Sequence, residues 1–371
     1  MGKLLGAPAS RRRSRILFRN PEELIVVEYI PLNCVWEMTL QCNMHCLHCG
    51  SKAGRRRDVE LTLDECLKTA DELAELGCKR ISLIGGEVFF YRGWETVGRR
   101  LSGNGLLANI VTNGYRFGDR EIEQIQYANL TNVCFSLDGM EANHDRIRGR
   151  AGSFHRVLDG FTKLKNANIP YAAVTTLLDF NFGDLEDLYD LLVRYEVDAW
   201  QIQLANPMGN MKKSLAIKKD KVSHVISFIK AKKDEGRMNI YAADDIGYYH
   251  KDEKYIRGKC GEISFWPGCQ AGLTVIGIDS IGNVKGCESL YADEFIEGNV
   301  RESSLRDIWF DESHFLYNRK FKKEYLTGAC AQCDMGEFCR GGCKGNSFFN
   351  QGSLFDNPYC SYNTKTDTDA I

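Results

Sequence analysis

The run Asn33-Cys34-Val35-Trp36-Glu37-Met38-Thr39 leads, two residues later, into Cys42-Asn43-Met44-His45-Cys46-Leu47-His48-Cys49. The first part reads as a β-strand; the second is a loop with three thiols in eight residues. Downstream, strand and helix signals alternate. Thr62 and Glu65 form a capping box that opens a helix closed by Gly77. Short apolar strands are expected over 80–84, 107–112, 132–137, 171–177 and 199–204, and helices over 94–101, 119–127, 153–167, 184–195 and 220–234. In the helix from Ser153, Phe154, Val157, Leu158, Phe161 and Leu164 recur at intervals of three and four. Six strand–helix units in series fold as a parallel sheet with right-handed crossovers, either an open doubly wound sheet or a partial barrel. In both, chemistry collects where the strands end, and the three-thiol loop lies there.

The chain has 371 residues, 48 Lys plus Arg against 50 Asp plus Glu, and a net charge of −2. That leaves no global field for nucleic acid or an anionic membrane. No apolar run is long enough to span a bilayer. Near the start, Arg11, Arg12, Arg13 and Arg15 are followed only by Ile16-Leu17-Phe18, so no secretory core develops, and Gly6 stands where myristoylation expects Ser or Thr. The expected compartment is the reducing cytoplasm, where fifteen cysteines, many of them clustered, point to metal rather than disulfides. From Cys260 onward Gly, Asn and Cys are dense, and helical periodicity is confined to 305–317. The expected organisation is an extension over 1–32 with an added strand or hairpin at Leu24 to Ile30, a strand–helix domain over 33–235, a bridge over 236–259 and a cysteine-rich domain over 260–371.

Three thiolates this close wrap three corners of a cubic iron–sulfur cluster and leave one iron without a protein ligand. A zinc site completed by His45 or His48 is the alternative. The spacing and its position resemble the radical S-adenosylmethionine (SAM) superfamily, which implies a partial (β/α)6 parallel barrel. In that family the open iron chelates SAM and an electron splits it to a 5′-deoxyadenosyl radical. The aromatic residue usual before the third cysteine is His48 here, and the proline usual after Gly85-Gly86-Glu87 is Val88. The resemblance implies that Gly85, Gly86 and Glu87 hold the SAM amine. It also implies SAM contacts at further strand ends: Asn113 in Thr112-Asn113-Gly114, Ser136 (near the ribose or carboxylate) and Asp138 in Ser136-Leu137-Asp138-Gly139, and Leu204 near the adenine. Arg148, in His144-Asp145-Arg146-Ile147-Arg148-Gly149, suits a carboxylate clamp, with a surface charge as the plain reading.

The remaining field reads Cys260, Cys269, Cys287, then Cys330, Cys333, Cys339, Cys343 and Cys360. It resembles the SPASM extension of the same superfamily. That resemblance implies one auxiliary cluster on Cys260, Cys269, Cys287 and Cys343, with Cys260 outside the seven-residue motif and open to being a free thiol. It implies another on Cys330, Cys333, Cys339 and Cys360, for three [4Fe-4S] clusters in all; a pair of zinc sites is the alternative. Cys34, Cys66, Cys78 and Cys134 then behave as small apolar residues.

SPASM enzymes mostly modify peptides, so the resemblance implies a peptide maturase that installs a carbon–carbon or thioether cross-link in a ribosomally made precursor. Sulfatase-type formylglycine formation, peptide epimerisation and a non-catalytic multi-cluster electron carrier are the rivals. The expected partners are the precursor peptide and a flavodoxin or ferredoxin; with too few residues before the first strand for a leader-binding winged helix, the leader is expected to be held by a separate protein, by the N-terminal segment or by an exposed sheet edge. Glu288, directly after Cys287, is the candidate base, with a solvated carboxylate as the plain reading. Asp244, Asp245, Tyr248 and Tyr249 are candidates for the substrate entrance, and Lys212-Lys213, Lys218-Lys219 and Lys232-Lys233 read as solvated faces.

Overall fold

Strands form where the apolar runs lie: β1 Asn33–Glu37, β2 Arg80–Ile84, β3 Leu107–Thr112, β4 Asn132–Ser136, β5 Tyr171–Leu177 and β6 Ala199–Leu204. The computed structural model, which describes residues 29–243, 245–258 and 264–362, pairs them in parallel in chain order. Between and after them run α1 Leu63–Glu75, α2 Trp94–Gly103, α3 Asp119–Ala128, α4 Glu141–Arg148, α5 Ser153–Asn166, α6 Leu185–Arg194 and α7 Val222–Glu235. The capping box forms as its residues require: Thr62 Oγ1 accepts from Glu65 N at 3.3 Å, and the Glu65 carboxylate accepts from Thr62 N at 2.7 Å. Gly77 then turns the chain at φ +87° into β2.

Strand alternation decides which face the helices cover. Trp36, Leu83, Ile110 and Phe135 share one core with Leu73, Val97, Ile125 and Phe161. Phe135 meets Phe117 and Phe161 edge-on, with centroids 5.0 and 5.3 Å apart. The opposite face carries Val35, Ser82, Asn109 and Ser136, all only half-buried. Ser82 Oγ donates to Asn109 Oδ1 at 2.9 Å on that face, which is less tightly packed than the helix-covered one.

The sheet is longer than the sequence suggests. β7 Asn239–Ala242 adds in parallel beyond β6, inside the stretch expected to be a bridge. β8 Val275–Ile278 pairs in parallel with β1, and β9 Asn283–Lys285 and β10 Gly298–Asn299 follow antiparallel. The order is β10-β9-β8-β1-β2-β3-β4-β5-β6-β7, one unclosed sheet shared by the strand–helix and cysteine-rich regions. The strand expected over 24–30 falls mostly outside the described residues, and Tyr29 and Ile30 lie in no strand. The C-terminal third holds short helices, α8 Glu253–Ile256, α9 Leu305–Phe310, α10 Leu316–Arg319, α11 Gly336–Cys339 and α12 Lys344–Gln351. The helix expected over 305–317 is interrupted before Phe315, which sits at φ +56°. No helix among the described residues is long and apolar enough to cross a membrane.

Candidate functional site

The loop from Cys42 to Cys49 leaves the C-terminal end of β1 and is strapped from three sides. α4 ends against it, and the last carbonyls of that helix, at Ile147 and Arg148, accept from Leu47 N at 2.8 Å and His45 N at 3.2 Å. Those carbonyls have no partner inside the helix, so the loop satisfies them. The end of β2 forms the second strap: Gly86 N donates to Thr39 O at 2.7 Å and Glu87 N to Gln41 O at 2.8 Å. A Cβ on Gly86 would lie 2.6 Å from Leu40 O, and one on Gly85 the same distance from Thr39 O. These glycines are therefore required by backbone packing against the cysteine loop. The third strap is Asn210 N on Cys49 O at 2.9 Å, with Gly209 pressed on the Cys49–Gly50 backbone.

Each thiol meets a donor. Met44 N lies 3.4 Å from Cys42 Sγ, Ala53 N 3.2 Å from Cys49 Sγ, and Arg148 Nη1 3.8 Å from Cys46 Sγ. Burial pushes the Cys42 thiol up to about 12, so its thiolate forms only against a bound cation. Among the described residues, no three Cys, His, Asp or Glu side chains converge on a single metal ion. His48 Nε2 sits 3.0 Å from Asp138 Oδ2, and His45 is exposed.

The other strand-end residues gather on this face. Glu87 is buried and accepts from Thr112 Oγ1 at 2.8 Å and Asn113 N at 2.9 Å; burial pushes its carboxyl up to about 7. Asn113 Nδ2 donates to Asn43 Oδ1 at 2.8 Å and approaches Cys42 Sγ at 3.8 Å. Asp138 is fully buried, with Arg148 Nη2 2.6 Å from Oδ2 and Thr176 N donating to Oδ1 at 2.9 Å. Burial alone would raise its carboxyl, but Arg148 and His48 more than reverse this and hold it well below the usual range. Arg148 is thus engaged by the protein itself, which the sequence alone did not indicate. Ser136 ends β4 half-buried, and Leu204 N donates to the Asp245 carboxylate at 3.2 Å. His48 Nδ1, Asn43 Nδ2 and Arg148 Nε are buried without a hydrogen-bond partner among the described residues. Three such orphans around one loop are the mark of a polar ligand site.

The downstream cysteines fall into two groups. Cys330, Cys333, Cys339 and Cys360 line one small cavity, with Tyr249, Met335, Asn357 and Tyr362 around them. Cys269, Cys287 and Cys343 lie near one another in the same apolar cluster. Burial, with Cys269 and Cys287 nearby, lifts the Cys343 thiol well above its ordinary value. Cys260 and Asp244 lie outside the described residues. α12, capped by Cys343, is tied to the segment after β6 by Asn346 Nδ2 on Asn206 Oδ1 at 2.9 Å and Lys213 Nζ on Asn350 O at 2.9 Å. The same segment holds Cys49, so it joins the two cysteine fields.

Sequence reasoning missed a polar cluster between those fields. Glu37, at the end of β1 and 2% exposed, binds Arg57, which also reaches Ser280 and Tyr291. Lys285 Nζ lies over the Tyr291 ring at 4.6 Å and 3.2 Å from Glu288. Glu288 is buried beside Gly277, and burial pushes its carboxyl up to about 8. A charged residue closing an apolar strand was the available signal for Glu37.

The chain matches the Radical SAM superfamily over residues 36–192 and the SPASM iron-sulfur cluster-binding domain over residues 269–334. It is a radical SAM enzyme with a C-terminal SPASM domain. It is 26% identical over 350 residues to the AdoMet-dependent heme synthase of Methanosarcina barkeri, covering 91% of this chain and 99% of that protein. It is 27% identical over 335 residues to the mycofactocin maturase MftC of Mycolicibacterium smegmatis, covering 88% and 81%. Its fold is similar to that of Streptococcus suis SuiB bound to precursor peptide SuiA, with a TM-score of 0.75 at 16% identity over 90% of this chain and 77% of that one. The family brings iron–sulfur clusters and SAM. The residues present fit them: soft thiol donors in groups, a cavity lined by four of them, and orphaned polar atoms beside the first loop.

Proposed function

We propose that this enzyme is a peptide maturase that installs a carbon–carbon or thioether cross-link in a ribosomally made precursor peptide. What carries the reading is the placement of the Cys42–Cys49 loop at the strand ends, beside a sheet face whose residues Ser82, Asn109 and Ser136 are only half-buried. The likeness to MftC and to SuiB with its precursor peptide supports it. In this reading Cys42, Cys46 and Cys49 hold one [4Fe-4S] cluster, and Gly85, Gly86, Glu87, Asn113, Ser136, Asp138, Arg148 and Leu204 surround SAM. Cys269, Cys287 and Cys343 with Cys260 hold a second cluster, and Cys330, Cys333, Cys339 and Cys360 a third. In the same reading, residues 33–235 form the radical SAM region and 260–371 the SPASM region, with 1–32 an extension and 236–259 a bridge. When bound, SAM and its cluster supply an oxidant able to remove a hydrogen atom from an unactivated carbon. Glu288 would take the proton released as the new bond forms, and Cys269, Cys287 and Cys343 would hold a cluster able to accept the electron. A low-potential flavodoxin or ferredoxin serves as reductant, and a separate protein presents the leader, all in the cytoplasm.

The test is co-expression with the short peptide encoded beside the gene, followed by mass spectrometry. The expected product is lighter by two hydrogens per cross-link, with 5′-deoxyadenosine formed in step. Unchanged peptide mass despite SAM cleavage would overturn the cross-linking assignment. The end-to-end match to a heme synthase favours a second reading, in which a tetrapyrrole is the substrate. Turnover of a porphyrin precursor, seen as a change in its absorption bands, would select it.

A further inference from the structure

Cys46, Arg148, Asp138 and His48 close a ring at the cysteine loop. Arg148 Nη1 lies 3.8 Å from Cys46 Sγ and Nη2 2.6 Å from Asp138 Oδ2, and that same oxygen lies 3.0 Å from His48 Nε2. Only Leu47 separates Cys46 from His48, so both ends of the ring come from one loop. The side chains of Arg148 and Asp138 are 10% and 0% exposed. The other Asp138 oxygen accepts from Thr176 N, and the Arg148 carbonyl accepts from the loop. The guanidinium is therefore fixed at the sulfur, and a side chain with a ring nitrogen at position 48 is what ties the carboxylate to the loop.

A buried cation at a ligand sulfur acts through charge. Taking up one electron adds one negative charge to an iron–sulfur cluster; a guanidinium this close favours that form and a carboxylate opposes it. We propose that Arg148 is a positioning and charge-setting residue that raises the electron affinity of the centre on the Cys42–Cys49 loop. Asp138, anchored by His48, fixes the guanidinium at Cys46 and limits that gain. This rests on the reading that Cys42, Cys46 and Cys49 carry a cluster. It differs from a ligand-clamp role for Arg148 because it operates before any SAM is bound.

The experiment is a dithionite redox titration of the full-length reconstituted protein without SAM, followed by electron paramagnetic resonance. Subtracting the Cys42→Ala/Cys46→Ala/Cys49→Ala triple variant isolates the signal of this centre. Arg148→Gln is expected to move the midpoint to more negative potential, and Arg148→Lys to restore much of it. Asp138→Asn is expected to move it the other way. Opposite signs at two residues of one ion pair are a signature that mere loss of packing does not produce. If Arg148→Gln does not retain the centre, His48→Phe serves beside Asp138→Asn, with a smaller negative shift expected. Unchanged midpoints, or shifts of one sign at Arg148 and Asp138, overturn the proposal and leave the cluster assignment standing. A triple variant with undiminished iron and an unchanged spectrum overturns the cluster assignment and the proposal with it.

Discussion

Arg301 forks onto Glu65: Nε lies 2.7 Å from Oε1 and Nη2 2.9 Å from Oε2. The same guanidinium donates to the carbonyls of Val59 at 2.8 Å and Glu60 at 3.2 Å. Glu65 also closes the capping box of α1, so one carboxylate joins the SPASM side of the molecule to the first helix. The Arg301 hydrogen bond, more than any other contact, lowers the Glu65 carboxyl from 4.5 to about 2.

Arg301→Ala is expected to cost about 1 kcal/mol at neutral pH, a figure already reduced for solvent screening of a pair one-third exposed. A depressed carboxylate contributes stability above its unfolded value and loses it as pH falls through its folded one. The gap between variant and parent in denaturant midpoint should therefore close as pH drops from about 4.5 toward about 2. A gap independent of pH would contradict this.

Glu60 supports the chain just before the cysteine loop. Its buried carboxylate accepts from Thr39 Oγ1 at 3.0 Å, Leu40 N at 2.8 Å and Arg57 N at 3.2 Å, with Arg56 Nε at 2.9 Å. Glu60→Ala strands several buried donors and is expected to cost about 3 kcal/mol. The melting temperature and the iron retained at the first site should both fall. A variant with parental iron and parental melting temperature would count against the strap.

Gly86→Ala places a methyl group 2.6 Å from a backbone carbonyl that cannot turn aside. Overpacking of this kind costs about 1–3 kcal/mol and shifts the loop, so SAM affinity, read by equilibrium dialysis, should weaken. Gly54→Ala is the control, because nothing lies within 4 Å of its added Cβ.

Cys339→Ala and Cys343→Ala should each remove one auxiliary cluster, lowering iron by about four per chain while the other centres keep their spectra. Loss of all iron from either single variant would show that the two cysteine groups are not separate sites.

The six strands of the barrel were legible because their apolar runs are short, bounded by caps and glycines, and paired with sequence neighbours. β7, β8 and β9 were not, since four- and three-residue segments such as Val275–Ile278 carry too little period, and β8 pairs with β1 from the other end of the chain. α12 was missed because Gly345, Asn346 and Ser347 are weak helix formers; contacts with Asn206 and Lys213 hold it. The spacings marked out the cysteine fields, while their division into cluster groups came only from the family resemblance. The ring through Arg148 and Asp138 did not, because a guanidinium in a sequence gives no sign of whether it faces water, ligand or carboxylate.

The pairing of β1 with both β2 and β8 has a consequence for biogenesis. On the ribosome, the first strand finds one neighbour early and the other only after residue 278 has emerged, and Glu37 waits equally long for Ser280. The three straps on the Cys42–Cys49 loop all come from residues before 211, so that loop can take its place while the free edge of β1 still waits for β8.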